Sequence, residues 1–223
     1  MTFNQAFSPP PGLTNPHVQT ILSSVGRKVR VPKPIKAFLD ASTEQIIEVA
    51  GVRLVVHRNT QRDDPEAPLI MIIPGWLGNS RSSYVVSAAL QLWQQGFNVV
   101  RINLRDHGDT SHLNSGLFHS ALIEEVIELA QHLMTDGRSA PDHRRPCGLI
   151  GYSLGGNFAL RLARAIPELT TLAICPAIDP YATMRQIESS IIYRNYFIIK
   201  WRKLFREKQR HFPTLYDFGP AMK

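Results

Sequence analysis

A serine held between two glycines, Gly151-Tyr152-Ser153-Leu154-Gly155, is the sharpest chemical signal in the sequence. The apolar run CGLIGY (147–152) precedes it and the amphipathic run NFALRLARAI (157–166) follows, so the serine falls on a strand-to-helix turn. A glycine two residues to either side lets neighbouring backbone pass closely, and such a strained turn presents the Ser153 hydroxyl as a nucleophile. Gly156 extends the tight packing. GxSxG alone would read as an ordinary Gly/Ser turn; the strand before it and the helix after it favour the nucleophile. Attack on a carbonyl creates an oxyanion, which needs fixed N–H donors where water is excluded. One donor is the amide of Leu154, at the start of the following helix, where the helix dipole favours negative charge. The other is the amide of Trp76 in PGWLGNS (74–80), where Gly75 permits a sharp turn. A plain strand-to-helix turn is the alternative there, outweighed by the GYSLG match.

The elements that must position these residues alternate along the chain. IIEVAGVRLVVHR (46–58) has the pattern of a hairpin around Ala50-Gly51. LIMII (69–73), FNVVRINL (97–104), CGLIGY (147–152) and TLAICPA (171–177) read as buried strands. Between them lie amphipathic helices: residues 82–95, a second built on Leu122, Val126, Leu129, Ala130 and Leu133, and 157–166. This alternation predicts a mostly parallel sheet with helices on both faces, whose sites form at the carboxyl ends of the strands. The expected organisation is an amino-terminal arm (1–45), an α/β core (46–180) and a helical segment (181–223).

With 43% hydrophobic and 19% charged residues, the composition argues against disorder, collagen-like repeats and coiled coils. The opening residues lack the pattern of a secretory signal and no apolar run reaches bilayer length, which points to a cytoplasmic protein. Cys147 and Cys175 read as small hydrophobes within strands, with no need of a disulfide. The net charge of +7 is concentrated between Arg194 and Arg210, where seven Lys and Arg face the single acid Glu207. There Ile192, Tyr196, Ile199 and Phe205 interleave with the cations, as in an amphipathic helix laid over an apolar pocket with a solvated basic face. A membrane-surface helix over 191–211 is one alternative; nucleic acid is disfavoured because no binding motif accompanies the charge.

Four motifs together, NPHVQTIL (15–22), PGWLGNS (74–80), NLRDHGDT (103–110) and GYSLGGN (151–157), resemble the YheT-like branch of the α/β hydrolases, which includes abhydrolase-domain esterases and lipases. The resemblance implies the α/β-hydrolase fold with a helical lid over 181–223, and hydrolysis of a small-molecule carboxylic ester by a Ser, acid and His triad without metal or organic cofactor. It carries over Ser153, Trp76 and Leu154 only. The family's acid and histidine follow two further strands, so the chain reads as a truncated member with its last strands missing, and an inactive binding or interaction protein is the alternative. His107, His112 and His119 could in principle supply a substitute base, although solvated or hydrogen-bonded loop histidines are the plainer reading. Asp179 could supply an acid, with a helix cap the plainer reading. Oligomeric state and acyl-chain length are not legible.

Overall fold

The computed structural model describes residues 8–15, 18–19, 33–135 and 146–219, so most of the motif at 15–22 lies outside the described residues. The chain divides into two units, residues 1–40 and 41–223. In the first, α1 spans Lys33–Asp40.

The second unit is a sheet of six strands: β1 (Thr43–Val49), β2 (Val52–Asn59), β3 (Leu69–Ile73), β4 (Asn98–Asn103), β5 (Cys147–Tyr152) and β6 (Thr170–Ile174). Their spatial order is β1-β2-β4-β3-β5-β6. β1 and β2 form the expected hairpin and β2 runs antiparallel to β4, while β4, β3, β5 and β6 are parallel. β3, at the centre, is a continuous apolar run because both of its faces are covered. On one face Leu69, Met71, Ile73, Val100 and Ile102 join α3 (Glu124–Thr135) and α4 (Leu154–Ala165) in the main core. The intervening residues Ile72 and Val99 point the other way, towards the side where α2 (Ser83–Gln94) buries Val85, Val86 and Ala89. This is the mostly parallel, helix-flanked sheet that the alternation predicts.

Two helices follow, α5 (Pro180–Ser189) and α6 (Ile191–His211), and the basic segment lies within α6. No described helix is long and apolar enough to cross a membrane. Three local expectations change. α4 begins at Leu154, directly after the serine, three residues earlier than the apolar periodicity suggests. β6, expected to be buried, is a half-exposed edge strand that stops at Ile174, and Cys175 is exposed at φ 45° beyond its end, outside any strand. The third change concerns the orientation of α6. Ile192, Tyr196 and Ile199 are exposed, while Phe197 and Trp201 turn inward onto Trp76, with ring centroids 5.4 and 5.1 Å away. Large aromatic rings gain most from leaving water, so Trp76 selects its own kind over the isoleucines.

Candidate active site

Ser153 caps α4 at φ 52° and ψ −114°, a conformation that side chains rarely adopt and that costs about 1–3 kcal/mol. Main-chain hydrogen bonds hold it there: the Ser153 amide donates to Ile174 O (2.9 Å), and its carbonyl accepts from the amides of Asn157 and Ala177 (both 3.1 Å). The Asn157 side chain adds a bond from Nδ2 to Ala177 O (2.9 Å). The serine side chain is exposed, and among the described residues its hydroxyl has no hydrogen-bond partner.

The flanking glycines are required by crowding. A Cβ on Gly151 would lie 2.2 Å from Gly155 O, and one on Gly155 would lie 2.4 Å from Pro74 O. The helix start is thereby pressed onto the end of β3, which carries the loop PGWLGNS. A Cβ on Gly75 would lie 3.2 Å from the Ser153 Cβ, so this loop passes directly beside the serine. Among the described residues the amides of Trp76 and Leu154 donate to no protein acceptor. The neighbouring Gly75 amide is already used, donating to the Tyr84 hydroxyl (3.0 Å). Burial raises the Tyr84 pKa above its ordinary value, which keeps the hydroxyl neutral, and its ring packs 4.8 Å from that of Tyr152.

Sequence reasoning passed over the residues that fix this loop from below. Arg101, fully buried in β4, donates from Nη1 to Ser80 O (2.8 Å) and from Nη2 to Ser42 Oγ (2.6 Å). Burial, with a smaller contribution from Arg81, lowers its pKa to about 10, so it stays cationic at neutral pH. Asn103 accepts from the Ser80 amide (2.7 Å). A polar residue in the centre of an apolar strand was the available signal.

The loop after β4 faces α6. Lys208 is entirely buried and donates to Asp106 Oδ1 (2.7 Å), Asn114 O (2.6 Å) and Ser111 O (3.4 Å). Asp106 also accepts from the Phe118 amide (2.9 Å) and sits at φ 59°. Further along the helix, Lys200 donates to Leu77 O (3.3 Å). Between loop and helix lies a cleft of about 640 Å³ whose walls include Leu77, His107, His112 and Lys203; Ser153 does not line it.

None of the three loop histidines reaches the serine by a hydrogen bond. His107 is buried, its Nδ1 bonded to Arg105 O (2.8 Å) and its ring edge-on to Phe118 (4.6 Å). A carbonyl only accepts, so Nδ1 carries the proton. Burial lowers the His107 pKa to about 4 and keeps the ring neutral. His112 and His119 are exposed. Asp179 caps α5, accepting from the Ala182 amide (3.0 Å). Among the described residues no group of His, Cys, Asp and Glu has the arrangement to hold a metal ion.

Residues 70–221 match the model of the alpha/beta hydrolase family. The chain is 26% identical over 113 residues to an inferred esterase/lipase of Haemophilus influenzae, a match covering 51% of this chain and 35% of that protein. It is also 26% identical over 120 residues to the sn-1-specific diacylglycerol lipase ABHD11 of Mus musculus, covering 54% of this chain and 36% of the relative. The matched stretch therefore spans little more than a third of each curated relative. Among solved structures, an esterase of Pyrococcus furiosus, Pf2001, superposes with a TM-score of 0.59 at 17% identity, covering 80% of this chain and 66% of that one. That likeness is one of fold.

Proposed function

Because the chain belongs to the alpha/beta hydrolase family, we propose that it is built for acyl transfer, with Ser153 attacking the carbonyl of a small-molecule carboxylic ester. The amides of Trp76 and Leu154 receive the oxyanion, aided by the positive end of the α4 dipole. The observation that carries this reading is the conformation of Ser153: a strained serine, outward and unbonded among the described residues, with the loop of Gly75 against it. Strain of this kind is retained where the side chain is needed. No organic cofactor enters the chemistry. The four sequence motifs support placing the chain in the YheT-like branch of the family, in which acid and histidine follow the serine in the chain.

A serine hydroxyl without a base is a weak nucleophile. That the Ser153 hydroxyl has no partner among the described residues therefore also supports a second reading, a catalytically silent chain that binds esters without turning them over. A fluorophosphonate probe separates them when combined with turnover of p-nitrophenyl esters. The hydrolase reading expects labelling and turnover that both vanish in Ser153→Ala. Labelling that survives in Ser153→Ala would refute Ser153 as nucleophile, and binding of esters without turnover would select the silent chain.

A further inference from the structure

The outward face of α6 has an order along its length that its few internal contacts, Tyr196 against Phe197 and Lys200 and the cleft edge at Lys203 and Arg210, do not explain. Residues 192, 196, 199, 203, 206 and 210 follow one another at steps of three and four, so they form a single stripe, and all six are exposed. Its first half is apolar: Ile192, Tyr196 and Ile199 are 58%, 51% and 68% exposed, and Ile191 beside them is 68% exposed. Its second half is cationic: Lys203, Arg206 and Arg210. Lys203 and Arg206 have no ion-pair partner among the described residues, while Arg210 meets Glu207 at 2.6 Å.

The inward face is fully engaged, through Phe197 and Trp201 on Trp76 and through Lys208 on Asp106. The helix cannot therefore roll to hide its isoleucines. The outward face has the composition of an interfacial helix, with large apolar groups to enter the acyl boundary and cations to meet lipid phosphates. At 21 residues α6 is about 30 Å long, enough to lie along a surface, and it is too polar to cross one.

We propose that this stripe docks α6 onto an anionic lipid surface, with Ile192, Tyr196 and Ile199 inserted and Lys203 and Arg206 against the headgroups. Charge complementarity argues for lipid: the chain's net charge of +7 is concentrated in this segment, and the cationic half of the stripe continues straight from the apolar half. A nucleic acid would use the cations and leave the isoleucines in water. Docking does not depend on the acyl-transfer reading.

The test uses the full chain carrying Ser153→Ala, so that no turnover intervenes, in flotation with vesicles of phosphatidylcholine alone and of phosphatidylcholine mixed with phosphatidylserine. Each surface cation multiplies binding about fivefold. Lys203→Glu with Arg206→Glu should therefore cut binding to the mixed vesicles by about twentyfold or more, and added salt should weaken the wild type. Ile192→Ser with Ile199→Ser should lower binding to both vesicles while thermal stability is unchanged. Equal binding to neutral and anionic vesicles, or no effect of either double substitution, would overturn the proposal. So would a dimer in solution abolished by the isoleucine changes, which would assign the stripe to a second copy, or tighter binding to an oligonucleotide that those changes leave intact.

Discussion

Replacing Gly155 by alanine tests whether the contact between α4 and β3 sets the geometry of Ser153. The new Cβ would stand 2.4 Å from Pro74 O, 2.5 Å from Ile73 O and 2.9 Å from Ile73 C, all main-chain atoms. No rotamer change relieves such a clash, so the helix start must retreat from the strand end by roughly 1 Å in a densely packed interior. Overpacking of this kind costs about 1–3 kcal/mol, and rigid neighbours place it at the upper end. For a chain of this size each kcal/mol lowers Tm by roughly 2–4 °C, so a fall of about 6–12 °C is expected. The same retreat shifts the Leu154 amide relative to the Trp76 amide, and a misplacement of about 1 Å slows chemistry roughly hundredfold. Gly148→Ala is the control: its Cβ would meet Ile70 Cδ1 at 2.8 Å, the free end of a flexible side chain, and should cost under about 1 kcal/mol. Denaturation followed by circular dichroism gives the stabilities and fluorophosphonate labelling gives the rates. Gly155→Ala with wild-type stability and labelling, or Gly148→Ala as the worse variant, would refute the steric argument.

Lys208→Met should destabilise by about 3–5 kcal/mol, because it leaves the Asp106 carboxylate buried without its cation. The double change with Asp106→Asn should recover part of that loss in urea unfolding. Ser153→Gly should raise stability by about 1 kcal/mol, since glycine tolerates φ 52° where serine is strained, while labelling disappears. His107 imposes a pH dependence of known sign. Its folded pKa of about 4 lies below the 6.5 of the free side chain, so the unfolded chain binds the proton first. Its contribution to stability is complete above about pH 6.5 and is lost as pH falls towards 4, by about 3 kcal/mol in all. His107→Gln should flatten that part of the stability profile, and a profile as steep as the wild type's would contradict the burial argument.

The order of strands and helices was legible because burial on both faces forces continuous apolar runs such as LIMII, and one-sided burial forces helical periodicity. The candidate nucleophile was legible for a related reason: Gly151 and Gly155 occupy places where a Cβ has no room, and a Cβ at Gly156 would press against Pro176. The supporting residues escaped because their types mislead. Arg101 interrupts the apolar centre of β4, where its guanidinium reaches back to Ser80 and Ser42 through contacts distant in sequence. Lys208 looked like one of seven basic residues on a solvated face, although it is the one that is wholly buried. The rotation of α6 was misjudged because both its faces hold large apolar groups, so periodicity offers two solutions. Trp76 and Asp106 choose between them, and neither belongs to the helix.

The pairing of Asp106 with Lys208 also bears on how the nascent polypeptide matures. The two residues are 102 positions apart, so the carboxylate emerges from the ribosome long before its ammonium partner exists. At ordinary translation speeds the interval is roughly 5–20 s. During it the turn after β4 lacks the cation that offsets its carboxylate, so burial of Asp106 must wait for α6.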